Sequence, residues 1–358
     1  MRRMKNIRDL LRKNQIESLL LTSEANRRYF SPYNIAEGMM MISQGENCFF
    51  TDSRYIEAAQ KNMKGFRVSM VSSQCTYADL IKKFVQENYI GSIGYEENHI
   101  TAGTLDHLKT FLERQEIAFV PAQELLSQVR QVKTEAELDN IRKAQEITDQ
   151  TFSDILKEIR PGITEKDLKI ELLYRLGKNG AEEPAFDPVV VSGPNTSMPH
   201  GVASDRILQN GDFITLDFGA KWNGYCADMT RTVALGEADK LMRRVYDLVL
   251  RAQEAGIAAT KAGVTGAEID EASRKVFRAE GFEEYMMHSH GHGIGLEVHE
   301  GPNCSPSWTK KLKENCVCSA EPGIYLEGMF GVRIEDLVII KKDGCENITK
   351  SPKSLIIL

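Results

Sequence analysis

Apolar positions along the first 125 residues fall into two alternating patterns. Short apolar runs at 18–22, 39–43, 48–51, 66–71 and 91–95 read as strands, and the stretches 52–64, 77–88 and 101–115 read as helices. Alternation of this kind predicts a small α/β domain. At the start of the chain, Met4, Ile7, Leu10 and Leu11 recur at helical spacing, so the basic segment 1–13 reads as a surface helix with a solvated positive face.

A different rhythm begins after 121–133, where the domain boundary is placed, giving domains over 1–125 and 126–358. Thr134 and Glu137 have the spacing of a capping box. Leu138, Ile141, Gln145, Thr148, Phe152, Ile155 and Ile159 then follow three and four apart, which predicts a long amphipathic helix stopped by Pro161-Gly162. Further on the pattern echoes itself. Gly162 and Gly263, Thr164 and Thr265, and Gly180 and Gly281 share one offset of 101 residues, each set framing a helix. Each half then ends in a predicted strand pair carrying two acids, Asp217 with Asp228 and Glu321 with Glu335. Glycines at helix ends can recur by chance, but the matched acids favour duplication of a helix-plus-hairpin unit. Such a duplication would gather the four acids around a pseudo-twofold axis, within an α+β domain.

Composition narrows the classes. With 358 residues, 42% hydrophobic and 27% charged, the chain is long enough for two globular cores. A net charge of −6 gives no general attraction to nucleic acid. No apolar run reaches the ~18–20 residues of a membrane span, and the basic opening lacks the apolar stretch of a signal peptide. The seven cysteines show no paired metal-ligand spacing, so reduced thiols in a cytoplasmic protein are the simplest account. Cys226, two residues before Asp228, is read as a packing group rather than a ligand.

The acids sit where acids are costly. Asp217 follows the apolar run 213–216, and Glu335 is flanked by Ile334 and the run 337–340. A buried carboxylate must be paired or ligate a metal. The bland alternative for any one of them is a salt bridge, for example to Arg231 or Arg333. Four of the seven histidines, His288, His290, His292 and His299, crowd into twelve residues beside glycines 291, 293 and 295, where backbone is expected to approach a site closely. A phosphate loop would want a lysine and a helix start there instead. Asp217, Asp228, His292, Glu321 and Glu335 are enough to hold two divalent ions if carboxylates bridge, which points to a metallohydrolase. Four hard carboxylates with one imidazole suit Mn²⁺, Fe²⁺ or Co²⁺ better than a structural zinc site. His200, in the Pro/Gly-rich loop 192–201, reads equally as a surface residue or a site residue.

At five motifs, Ile214-Thr-Leu-Asp-Phe-Gly219, Cys226-Ala-Asp-Met-Thr-Arg-Thr232, Gly291-His-Gly-Ile-Gly-Leu-Glu-Val-His299, Glu321-Pro-Gly-Ile-Tyr325 and Gly331-Val-Arg-Ile-Glu-Asp336, the chain resembles the metallopeptidases that group methionine aminopeptidase, aminopeptidase P and prolidase. The resemblance covers 128–358, and the first domain matches the aminopeptidase P and prolidase branch. It implies a pita-bread catalytic domain and two divalent ions per chain, manganese first, with cobalt, iron or zinc as alternatives. Asp228 and Glu335 would bridge both ions, Asp217 would hold one, and His292 with Glu321 the other. His200, His299 and Arg333 match the family's positions around the ligands, and a homodimer is implied. The substrate implied is a peptide with a free amino terminus and proline second, hydrolysed by a metal-activated hydroxide with Glu321 carrying the proton and His200 and His299 donating to the carbonyl oxygen. Runner-up readings are a strict Xaa-Pro dipeptidase and a creatinase-like C–N hydrolase that works without metals. A non-catalytic binding protein would have lost ligands, and none is lost. Two departures stand out: His288-Ser-His-Gly-His292 replaces the family's His-Gly-Thr-Gly-His, with His290 read as a partner to the metal ligands ahead of the alternative that it merely packs, and Asn303 stands where some dipeptide-cleaving relatives carry an arginine for the substrate carboxylate.

Overall fold

The computed structural model describes residues 2–31, 33 and 37–358; Met1, part of the expected opening helix, lies outside them. Contacts divide the chain into two compact units, 1–130 and 131–358.

In the first unit the strands are β1 (Ser18–Leu21), β2 (Met39–Ser43), β3 (Asn47–Thr51), β4 (Arg67–Met70), β5 (Ser92–Tyr95) and β6 (Ala118–Pro121). They form one mixed sheet in the order β4-β3-β2-β1-β5-β6. The helices are α1 (Arg2–Lys13), α2 (Glu24–Phe30), α3 (Ile56–Asn62), α4 (Tyr77–Glu87), α5 (Ala102–Phe111) and α6 (Gln123–Gln131). The helix expected over 52–64 starts only at Ile56, because the Asp52 carboxylate accepts the Arg54 backbone N–H at 2.8 Å and turns the chain first. The helix expected over 101–115 stops at Phe111 and gives way to a 3₁₀ turn. Helix α2, strand β6 and helix α6 had no clear signature. Strand β6 is a half-exposed edge without alternation, and short α2 buries polar Asn26 and Arg27 as well as Tyr29 and Phe30, which breaks the apolar stripe. The buried Glu96 carboxylate compensates α2, accepting from the backbone N–H and hydroxyl groups of Thr22 and Ser23 and from the Asn26 amide. Helix α6 is tied to this unit by Tyr29, whose hydroxyl donates to the Val129 carbonyl at 2.8 Å, and by Arg130, which donates to Asn26 at 3.0 Å.

The second unit opens with α7 (Glu135–Ile155). Glu137 reaches back to accept from the Thr134 backbone N–H at 2.9 Å. The helix ends about a turn before Pro161: Lys157 and Glu158 bond to carbonyls three residues back, tightening the chain, while Ile159 still packs into the same core. Next come α8 (Glu165–Lys178), β7 (Glu183–Pro184), β8 (Val189–Ser192), β9 (Phe213–Phe218), β10 (Ala220–Trp222), β11 (Tyr225–Cys226) and β12 (Met229–Ala234). The second half supplies α9 (Lys240–Ala259), α10 (Gly266–Ala279), β13 (Gly291–Gly293), β14 (Glu300–Cys304), β15 (Val317–Ala320), β16 (Gly323–Leu326), β17 (Phe330–Arg333), β18 (Asp336–Lys341) and β19 (Gly344–Asn347).

The echo in the sequence is an echo in the hydrogen bonds. Gly162 N–H donates to Leu208 O and Gly263 N–H to Leu312 O; Leu208 N–H donates to Ile163 O and Leu312 N–H to Val264 O. Thr164 and Thr265 cap α8 and α10 through capping boxes with Asp167 and Glu268. Each half presents an antiparallel strand pair, β9 with β12 and β15 with β18. Asp217 lies in β9, Asp228 just before β12, Glu321 just after β15 and Glu335 just before β18. Shared apolar packing of β9, α9 and β17, through Phe213, Val245, Tyr246 and Val332, locks the two halves together.

Phe152 is fully buried in the core formed by α7, α8 and the β9 sheet. Phe152→Ala is expected to lower unfolding free energy by about 3–5 kcal/mol, read from urea midpoints. A loss below about 1 kcal/mol would place the ring outside the core.

Candidate metal centre

The strand pairs deliver their acids to one place. Glu335 is held at both ends by β12: its backbone N–H donates to Thr230 O at 3.1 Å, and the Thr230 hydroxyl donates to its Oε2 at 2.7 Å. His292 sits in β13 with Nδ1 3.2 Å from the Gly293 carbonyl, which turns Nε2 to 3.2 Å from Glu321 Oε1 and 3.5 Å from Asp228 Oδ2. The Ser319 hydroxyl accepts the His292 backbone N–H at 3.0 Å and donates to Glu321 Oε1 at 2.9 Å. Glycine is required here by close approach: a Cβ on Gly291 would lie 2.2 Å from Ser319 O, and one on Gly293 2.5 Å from Glu300 O.

Charge in this cluster is unbalanced. Three buried carboxylate oxygens, Asp217 Oδ1, Asp228 Oδ1 and Glu335 Oε1, have no hydrogen-bond partner. Burial pushes the Asp228 carboxyl up to about 7, against the opposing pull of His292. Burial and the neighbouring Asp228 and Glu321 charges push Glu335 up as well. Burial alone would lower His292, but its contacts with Asp228 and Glu321 raise it. Burial likewise opposes ionisation of Glu321, yet the His292 contact outweighs it and holds that carboxyl below its ordinary range. The His292 imidazolium and the Arg333 guanidinium beside Asp217 together cannot neutralise four acids, so the pocket has unfilled demand for positive charge. Asp228, His292 and Glu335 each present a ligand atom within 4.8 Å of the others. With Glu321 against His292 and the free oxygen of Asp217 beside them, the donor set fits hard divalent cations.

Arg333 lies among the candidate ligands: it pairs with Asp217, while its Nε donates to the Thr230 hydroxyl at 3.0 Å, so that hydroxyl stands between Arg333 and Glu335. Its Nη1 donates to Tyr325 Oη at 2.7 Å and to Pro199 O at 3.2 Å, and Tyr325 Oη lies 2.7 Å from His288 Nε2. Thr230, Tyr325 and His288 had been passed over as site residues, although each lies inside a motif already marked by an acid or histidine. Arg231, the other suggested partner for an acid of the cluster, pairs with Asp336 instead.

A cavity of about 510 Å³ opens over the acids, its wall including His200, Val298, His299, Asn303, Phe186 and Val189. The His299 ring packs edge-on to His292 with centroids 4.2 Å apart, and burial followed by the His292 charge lowers its basicity. His290 does not join this group. Its ring is wholly buried against Gly256, where a Cβ would come within 2.1 Å, and Nδ1 lies 2.8 Å from the Ser273 hydroxyl between α9 and α10. Only its backbone carbonyl serves the site, accepting the Glu321 N–H at 2.8 Å. Cys226 packs, with Sγ 3.8 Å from Leu296 O and the thiol pushed up to about 12 by burial.

Comparison with known proteins agrees with this geometry. Residues 139–342 match the model of metallopeptidase family M24, and residues 3–132 that of the creatinase/prolidase N-terminal domain. The chain is 39% identical to an Xaa-Pro dipeptidase from Bacillus anthracis, whose structure superposes with a TM-score of 0.95 over 100% of this chain and 99% of that one. It is 37% identical to an X-Pro aminopeptidase from Thermotoga maritima, TM-score 0.91, over 99% and 100%. An Xaa-Pro dipeptidase from Pyrococcus furiosus is 32% identical over 99% of both chains. The chain belongs to metallopeptidase family M24: it is a peptidase with the pita-bread fold and the family's divalent-metal chemistry.

In metal-stripped protein the raised groups set a pH dependence. Asp228, Glu335 and His292 hold protons in the folded state that the unfolded chain releases at lower pH, so stability falls as pH rises between about 5 and 7. Glu321 works the other way, but its lowered carboxyl is ionised in both states throughout that window. Asp228→Asn is expected to reduce the loss by about 2 kcal/mol, measured by urea denaturation in EDTA. Equal slopes in the two proteins would contradict the raised Asp228.

Proposed function

We propose, for this M24 metallopeptidase, removal of the first residue from peptides with a free amino terminus and proline second. The observation that carries the reading is the trio of orphaned buried oxygens on Asp217, Asp228 and Glu335, facing His292 at the floor of the cavity. Two divalent ions would be held by Asp217, Asp228, His292, Glu321 and Glu335, with Asp228 and Glu335 shared. The oxygen-rich donor set favours manganese, with cobalt, iron or zinc as alternatives. When bound, such ions supply an activated water and polarise the scissile carbonyl.

The chain's own groups do the rest. Glu321 would carry the proton, as the family resemblance implies for this carboxylate. His200 and His299 on the cavity wall donate to the carbonyl oxygen as it gains charge. Arg333 holds Asp217 and Tyr325 in place beneath them. The relatives named as Xaa-Pro dipeptidases and aminopeptidases support the proline specificity. A cytoplasmic setting fits the seven free cysteines, and no helix among the described residues is long and apolar enough to cross a membrane. A homodimer completes the reading, on the family resemblance alone.

Peptide length turns on Asn303. It is exposed on the cavity wall, and Arg333, the lone arginine or lysine of that wall among the described residues, is committed to Asp217 and Tyr325. Asn cannot offer a carboxylate the charge-assisted fork of arginine. Peptides of three or more residues are therefore expected to be cleaved at least as well as dipeptides.

Three measurements test this. EDTA should abolish cleavage of an Xaa-Pro peptide and Mn²⁺ should restore it, whereas a creatinase-like hydrolase would keep working. Asp228→Ala should lose both metal and turnover, while His200→Ala should keep its metal and lose turnover by about 10²-fold or more. Metal lost from the His200 variant would make that residue a ligand. For length, kcat/KM for Ala-Pro-Ala should equal or exceed that for Ala-Pro; a tenfold preference for the dipeptide, about 1.4 kcal/mol, would reveal a carboxylate clamp and overturn the reading of Asn303.

A further inference from the structure

Among the described residues Arg231 is the largest fully buried side chain. Each of its five N–H groups has an acceptor. Nη1 donates to Glu335 O and, at 2.9 Å, to Thr230 O; Nη2 donates to Asp336 Oδ1 and Ser351 O, both at 2.8 Å; Nε donates to Pro352 O at 3.0 Å. Four of the five acceptors are backbone carbonyls, so this guanidinium fixes main chain rather than merely balancing charge. The main chain it fixes belongs to both halves of the duplicated unit. Thr230 and Arg231 lie in β12, which begins directly after Asp228, whereas Asp336 opens β18 directly after Glu335. Glu335 thereby has its N–H bound by Thr230 O and its C=O bound by Arg231. Asp336 keeps the fork aimed, since its other oxygen is occupied by Lys353 at 3.0 Å and Asn347 at 2.6 Å.

We infer that Arg231 is a positioning residue for the metal centre, riveting β12 to β18 so that the carboxylates of Asp228 and Glu335 keep the separation two shared ions need. This rests on the ligand assignment proposed above. The strands do not pair with each other: β12 pairs with β9, and β18 with β15 and β19. No ladder sets their mutual position; beyond the single backbone bond from Glu335 N–H to Thr230 O, that task falls to side chains. Arginine suits it because its planar fork reaches several carbonyls at once, whereas a lysine ammonium is a point donor on a flexible stem.

The test compares Co²⁺ binding to wild type and Arg231→Lys, followed by calorimetric titration and by the visible spectrum of the bound ion, well below the unfolding temperature of each protein. Arg231→Lys keeps a positive charge beside Asp336 but loses the fork. It is expected to fold, to bind Co²⁺ about tenfold or more weakly, and to show an altered spectrum. A second variant, Arg231→Met with Asp336→Leu, strands neither member of the buried pair and is expected to fold with the same weakened binding. Unchanged affinity and spectrum in a folded variant would overturn the inference, even with a lowered melting temperature, because a purely structural role would give that result. Failure of both variants to fold would assign Arg231 to the fold and overturn it too. Wild-type protein that binds no Co²⁺, or binds it undiminished in Asp228→Ala, would instead sink the ligand assignment, so the two failures are distinguishable.

Discussion

Four carboxylates buried around one imidazole set the terms for this catalytic domain. Ionised acids at such spacing repel each other and lose hydration, and in an apolar interior that cost is several kcal/mol per charge unless a cation or a proton offsets it. The response is visible residue by residue: Asp217 borrows Arg333, Glu321 borrows His292, and Asp228 and Glu335 hold on to protons. The oxygens that remain without partners point to the missing charge. A site so arranged is destabilising for the empty chain and becomes favourable through a divalent ion, which links folding stability to metal loading.

Holding that arrangement requires rigidity, and the surroundings supply it with backbone groups. Glycines at 291 and 293 let β13 lie against Ser319 and Glu300 at distances no side chain would permit. The Thr230 hydroxyl accepts from Arg333 and donates to Glu335, relaying order from one acid's partner to another acid. The His290 carbonyl anchors Glu321 while its ring is clamped between helices. Misplacement of a ligand by a fraction of an ångström changes metal affinity, so these bonds bear directly on function.

Duplication explains how such a centre can be assembled from short motifs. Each copy of the capped helix and strand pair contributes two acids, and apolar packing of Phe213, Tyr246 and Val332 brings the copies face to face. Neither copy alone supplies the whole donor set, because each offers only two of the four carboxylates.

The sequence by itself determined a good deal. Hydrophobic periodicity located most strands of the first unit and the long helix α7, since each buries a regular stripe or face. The repeated glycine and threonine spacing exposed the duplication, because capping and left-handed turns demand those residue types locally. The clustering of acids and histidines within apolar runs marked the site, since burial makes such residues costly without a role. What lay beyond reach was which way each side chain faces and what it meets across the fold. Half-exposed β6 and the polar face of α2 left no periodic trace. His290 stands among ligand-like neighbours in sequence, yet the chain just before β13 sends its ring between α9 and α10, against Gly256 and Ser273. Arg333 and Arg231 each looked able to serve any acid, and only the packing of strands that do not pair with one another decided that one meets Asp217 and the other Asp336. Local chemistry is written residue by residue, but partnership between segments 100 residues apart exists only once the chain has closed on itself.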